Sequence, residues 1–145
     1  MHNSILNLNS IKNELKNDTN ALENIEIIAI SKTFPIQNIS PLIEAGHLHF
    51  GENKIQEAIG KWTDIKKKNK NLKLHFVGKL QTNKVKFVIP LFDYIHSLDN
   101  FKLAQKISIQ QNKINFKPKI FIQVNIGKEI QKNGISIDDL DSFVE

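Results

Sequence analysis

The chain has 145 residues, 40% hydrophobic and 24% charged, which fits one globular domain with a sizeable core. It contains no cysteine, which excludes disulfides and thiolate chemistry and agrees with a reducing, cytoplasmic setting. The formal net charge is +5, yet all 20 basic residues are lysines, and the lack of arginine forks argues against a nucleic-acid surface. The opening Met1-His2-Asn3-Ser4 lacks the basic-then-apolar pattern of a signal peptide, and no apolar segment is long enough to span a membrane.

Residues 5–23 place Ile5, Leu8, Ile11, Leu15 and Leu22 at helical spacing, with Asn and Asp breaks near 17–20. Residues 25–31, a nearly unbroken apolar run, read as a buried strand that ends by delivering Lys32, with Pro35 starting the next element. A short helix over 36–45 is stopped by Gly46. A second strand at 47–50 ends in Gly51-Glu52-Asn53, and an amphipathic helix follows over 54–68 with Ile55, Ala58, Ile59, Trp62 and Ile65 on one face. Strand three is 73–77, ended by Gly78; a short helix over 82–89 stops at Pro90. Strand four is 92–96, ended by Ser97 and Asp99, and residues 100–111 are helical. Strand five is 119–124, ended by Asn125 and Gly127, and a last helix begins over 138–144.

Repeated β-α alternation after a leading helix argues for a parallel sheet with right-handed crossovers. One unit takes roughly 24 residues, the spacing of an eight-stranded barrel of about 250 residues. Five units cannot close such a barrel. Residues 1–145 therefore read as a single incomplete domain: either an open five-stranded sheet or the front part of something longer.

The strand ends share a chemistry. Ser31-Lys32, Gly51-Glu52-Asn53, Gly78-Lys79, Ser97 with Asp99, and Asn125 are small or polar, and ligands of α/β proteins bind at the carboxyl ends of the strands. Any one such end is an ordinary turn. The five together, with a lysine among them, point to a site. A partly buried amine at Lys32 would be a nucleophile for a carbonyl, since burial or a neighbouring cation such as Lys79 favours the neutral form. Asn53, His75 and Ser97 are the candidates for polar contacts to a bound ring. Asn53 could equally stabilise its turn, and His75 could equally be a satisfied core histidine.

Five motifs in order carry a family resemblance. They are Ala29-Ile30-Ser31-Lys32-Thr33-x-Pro35; Phe50-Gly51-Glu52-Asn53-x-x-Gln56-Glu57; His75-Phe76-Val77-Gly78-x-Leu80-Gln81-x-Asn83-Lys84; His96-Ser97-Leu98-Asp99; and Gln123-Val124-Asn125-Ile126 with Glu129, Lys132 and Gly134. Their order and spacing resemble the pyridoxal phosphate homeostasis proteins, single-domain barrels related to the N-terminal domain of alanine racemase. The resemblance implies a partial (β/α) barrel of that type, about five βα units after an N-terminal helix. It implies a Schiff base between Lys32 and pyridoxal 5′-phosphate, and a role in holding and supplying that cofactor to PLP-dependent apo-enzymes, without robust catalysis. Lys54, Leu74 and Lys79 depart from the usual residues at peripheral positions. In the family, later strands supply a Ser- and Gly-rich phosphate loop and an arginine near the ring. This chain has neither, so it looks truncated, and alone it is expected to bind the cofactor weakly or not at all.

Three other readings compete. His47-Leu48-His49 is an H-x-H pair that, with His75, His96 and Asp99, suggests a metal-dependent hydrolase, although His47 sits at the wrong end of its strand. The run Lys66-Lys67-Lys68-Asn69-Lys70 suggests an anionic partner but lacks interleaved aromatics. A fragment with no independent function would leave two open sheet edges, inviting self-association or a complementing chain.

Overall fold

The computed structural model describes residues 1–18 and 25–145. Leu22, counted above in the leading helix, lies outside the described residues. Helix α1 (Asn3–Asp18) is mostly exposed and buries Leu8. Five parallel strands follow in spatial order: β1 (Ala29–Ile30), β2 (His49–Glu52), β3 (Lys73–Phe76), β4 (Tyr94–Leu98) and β5 (Lys119–Ile122). Between them run α2 (Ile36–Glu44), α3 (Ile55–Lys68), a 3₁₀ turn (Thr82–Lys84) leading into α4 (Val85–Val88), and α5 (Phe101–Ile114). Among the described residues the sheet is open, with β1 and β5 each paired on one side only.

Local chemistry accounts for the boundaries. Helix α2 opens after Pro35 and closes at Gly46, whose φ of +85° suits glycine, with the Gly46 and His47 N–H groups returning to Ile43 O and Leu42 O. Helix α5 is capped by Asn100, whose side chain accepts from the Leu103 N–H at 2.9 Å. It ends at Asn115 with φ +54°, a conformation asparagine tolerates.

The core forms where the helices meet one face of the sheet. Phe50, Leu74, Phe76 and Ile95 alternate inward from the strands against Ala58 and Trp62 of α3, Val85 and Val88 of α4, and Leu103 and Ile107 of α5. Phe50 lies 5.0 Å from Trp62, and Phe76 lies 5.2 Å from Phe92, ring centre to ring centre. Lys66 is drawn into this layer: its amine donates to Asp93 Oδ2 at 2.6 Å and to Leu91 O at 2.7 Å. Part of the basic run at 66–70 is therefore internal structure.

Four strands differ in their bounds from the sequence reading. The first strand is two residues long, Ala29–Ile30, rather than 25–31. The second and fourth strands start later than read, at His49 and Tyr94. The fifth breaks at Gln123. Beyond it, β6 (Val124–Asn125) pairs with β7 (Ile135–Ser136) in a separate two-stranded sheet, an element the apolar pattern did not reveal. Gly134 is needed there: its φ is +116°, and a Cβ would sit 2.8 Å from Asn125 N. Asn125, Glu129, Lys132 and Gly134 thus fold into one loop, with the Asn125 side chain donating to Glu129 O at 2.8 Å. After a second 3₁₀ turn (Ile137–Asp139) comes α6 (Leu140–Val144).

Candidate functional site

Strand alternation sorts the rim residues onto two faces. Phe50 and Glu52, Leu74 and Phe76, Ile95 and Ser97 face the helices. Ile30, His49, His75, Tyr94, His96 and Phe121 occupy the other, helix-free face. The register pairs Ile30 with Gly51, Gly51 with His75, and His75 with Tyr94. The Ser31 N–H donates to Gly51 O at 2.9 Å, and the Val77 N–H to Glu52 O at 2.9 Å. Counting on along the same register sets Lys32 opposite Asn53, Asn53 opposite Val77, and Val77 opposite His96. Phe121 joins this level by stacking on His96 at 4.6 Å.

Lys32 is exposed, not partly buried as the sequence suggested. The reason is architectural: the apolar run before it packs on one side only, and in an open sheet no opposite wall covers the strand tips. Two clefts flank it. One, lined by Thr33, Phe34, Pro35, Glu57 and Lys61, lies against α3. The other runs under Ala29, Ile30 and Ser31.

Asn53 sits where expected, at the β2 tip. Its Oδ1 is buried without a hydrogen-bond partner, so an acceptor is left open there. It lines a cleft of about 390 Å³ with Gln56, Phe76, Lys79, Gln81 and Lys84. Gly78 belongs to this contact, since a Cβ on it would meet Asn53 O at 2.5 Å.

His75 and Ser97 are placed differently. The His75 ring is 4% exposed, and both nitrogens are engaged: Nε2 with His49 Nδ1 at 2.9 Å and Nδ1 with His96 Nε2 at 2.8 Å. Tyr94 stacks on it at 4.2 Å. Burial, with the neighbouring His96 and His49 next in size, lowers its pKa from 6.5 to about 4, so the ring is neutral near pH 7. Its polar capacity is spent inside the sheet. Ser97 lies on the helix side with Ile95, its Oγ buried and unpartnered. His96, one residue earlier, lies on the opposite, helix-free face of β4, as alternation from Tyr94 requires; in the sequence it stands both in the fourth motif and among the histidines of the metal reading.

The H-x-H pair does not converge. His47 precedes β2 and bonds the His49 carbonyl at 2.9 Å, with its ring edge-on to Phe50. The His49 ring lies on the helix-free face, 3.4 Å from Glu26. Burial lowers the pKa of His47 and His96 as well. Among the described residues, no group of three ligating side chains could hold a metal ion.

Behind the rim, Glu52 is fully buried. Its Oε1 accepts from Ser31 Oγ, Lys61 Nζ and Trp62 Nε1, each at 2.8 Å. Lys61 passes unnoticed in the sequence, where it reads as half of an ordinary i, i+4 pair with Glu57.

Five parallel βα units with a lysine at the first strand tip define a class: an unclosed barrel of the alanine racemase N-terminal type. A solved structure of a CdALR variant, 15% identical with a TM-score of 0.65, shares that fold. In sequence and fold the chain is a relative of the pyridoxal phosphate homeostasis proteins. It is 38% identical over 141 residues to the one from Buchnera aphidicola subsp. Schizaphis graminum, covering 94% of this chain and 61% of that protein. It is 36% identical over 122 residues to the one from Escherichia coli K12, covering 83% of this chain and 52% of that protein. A structure of PipY from Synechococcus elongatus without PLP superposes with a TM-score of 0.79 at 33% identity, over 90% of this chain and 59% of that one. PipY with PLP bound gives 0.75 at 32% identity, over 92% and 62%. The chain thus spans about three-fifths or less of the length of these relatives. No protein-family model matches it.

The residues present suit one end of pyridoxal 5′-phosphate. Lys32 offers a primary amine, and Asn53 stands on the adjacent strand tip with its Oδ1 buried and, among the described residues, unpartnered. The phosphate end is served less well: there is no arginine, and α3 starts after Lys54 with neither a side-chain cap nor a glycine-rich lead-in.

Proposed function

We propose that the chain holds pyridoxal 5′-phosphate on Lys32 and takes part in its homeostasis, supplying it to PLP-dependent enzymes rather than turning over a substrate. The observation that carries this reading is the position of Lys32 just past the carboxyl end of β1, on the rim formed by the ends of the parallel strands. Relatives named pyridoxal phosphate homeostasis protein and the solved structure of PipY with PLP bound support it. When bound, the cofactor supplies an aldehyde with which a primary amine can condense, with loss of water. Lys32 is the amine that receives it. Asn53 orients a donor group of the ligand, and His96 borders the same space as a neutral ring. His75 acts one step back, fixing the His96 ring by its hydrogen bond. Ser97 acts from the helix side, under His96. Holding at one end only predicts a weak complex.

The test is a titration of the purified chain with pyridoxal 5′-phosphate followed by absorbance, borohydride reduction and peptide mapping. Colour that is lost on reduction, with the label at Lys32, supports the reading. Absence of borohydride-stable label on Lys32 at millimolar cofactor sinks it, since free pyridoxal 5′-phosphate is itself coloured and is itself bleached by borohydride.

The open sheet supports a second role for the same chain. The edge strands β1 and β5 each leave one side unpaired, and Ile30 and Phe121 expose apolar surface beside them. Pairing there with a second chain would cover the strand tips. Sedimentation across a concentration series tests this: a strictly monomeric chain at all concentrations rejects self-pairing.

A further inference from the structure

The turn that presents Lys32 is strained, and it is held from one side. The Phe34 N–H donates to Ser31 O at 3.2 Å, which leaves Lys32 and Thr33 at the corner. Thr33 has φ +68°. A β-branched residue seldom occupies that left-handed region, and such strain persists only where the surroundings impose it.

Here α3 imposes it. Glu57 Oε1 accepts from the Thr33 N–H at 2.7 Å. Lys61, one turn further on, donates to Glu57 Oε1 at 3.1 Å, to Glu52 Oε1 at 2.8 Å and to Ser31 O at 2.9 Å. The backbone groups on both sides of Lys32, the Ser31 carbonyl and the Thr33 amide, are therefore bonded to α3 side chains. The Lys61 hydrogen bond and then the Thr33 N–H hold the Glu57 carboxyl below the usual carboxylate range, so it is ionised near neutrality.

We propose that Glu57 is a positioning residue: it locks the left-handed Thr33 backbone so that the Lys32 amine projects over the helix-free face. The inference rests on the role proposed for Lys32. A purely local alternative, support of α3 through the Glu57–Lys61 pair, predicts no effect specific to Lys32.

The experiment compares the full chain with Glu57→Ala, Glu57→Gln and, as a helix control, Asp64→Ala, which removes the exposed Asp64–Lys67 pair on the same helix. The first readout is the share of borohydride-trapped pyridoxal 5′-phosphate found on Lys32 relative to all other lysines. The second needs no cofactor: amide hydrogen exchange at Thr33. We expect Glu57→Ala to lower the Lys32 share about fivefold and to speed Thr33 exchange about tenfold. Glu57→Gln, whose amide oxygen still accepts from the Thr33 N–H, stays within about twofold of the parent in both, as does Asp64→Ala. Parent-like labelling and exchange in Glu57→Ala overturn the proposal, and so does a Gln variant as impaired as the Ala variant. An even spread of label over the lysines of the parent overturns the proposed function instead, and the exchange comparison then still decides the role of Glu57.

Discussion

His75 and His96 share a hydrogen bond of 2.8 Å between Nδ1 and Nε2, and it joins two strands on the helix-free face. With the His49 bond it makes a chain of three imidazoles across β2, β3 and β4. Each link needs one donor and one acceptor nitrogen.

That chain sets a pH dependence. In the unfolded chain, His75 protonates through its ordinary 6.5, whereas the folded ring resists down to about 4. Its folded pKa is depressed, so the unfolded state binds more protons between these values, and stability falls as pH falls. Above pH 7 there is no effect. From 6.5 to 4 the loss from His75 is about 3 kcal/mol. His47 and His96, lowered in the same direction, add to it. Urea unfolding at pH 7.5 and pH 4.5 checks this; equal midpoints contradict it.

Glu52 and Lys61 form an ion pair behind the rim, with side chains 0% and 8% exposed. Lys61 keeps Glu57 as a partner if Glu52 is removed, whereas removing Lys61 strands the Glu52 carboxylate in a dry site. Lys61→Met should cost about 3 kcal/mol, far more than Asp64→Ala at the exposed Asp64–Lys67 pair, which costs at most about 1 kcal/mol. Chemical denaturation of the two variants gives the comparison.

Two glycines should respond in opposite directions. Gly78 has Asn53 O where a Cβ would stand, 2.5 Å away, so Gly78→Ala must push the β2 tip aside and should cost about 1–3 kcal/mol. Gly60, inside α3, has nothing within 4 Å of its Cβ position. Gly60→Ala should stabilise by about 0.5–1 kcal/mol through helix propensity. Melting temperatures of the pair decide.

Much of this fold was legible in the sequence because parallel strands buried on the helix side carry apolar runs: Leu74 and Phe76, Phe50, and Ile120 all stood out. What was lost depended on partners. Residues 25–28 have the composition of a strand but lie outside β1, which is two residues long. The β6–β7 pair is too short for any periodicity to show. At the strand tips, Lys32 and Asn53 stand out in the sequence because they end apolar runs, whereas the separate faces of His96 and Ser97 follow only from alternation along β4. Glu57 and Lys61 escaped because an i, i+4 pair looks the same whether it caps a helix surface or clamps a turn 24 residues away.

The most direct test of the account is where the cofactor reacts. Pyridoxal 5′-phosphate added to the purified chain, reduced with borohydride and mapped by peptide, should place most of the label on Lys32 among the 20 lysines, at less than one equivalent per chain. Label spread over the lysines in proportion to their exposure would contradict it.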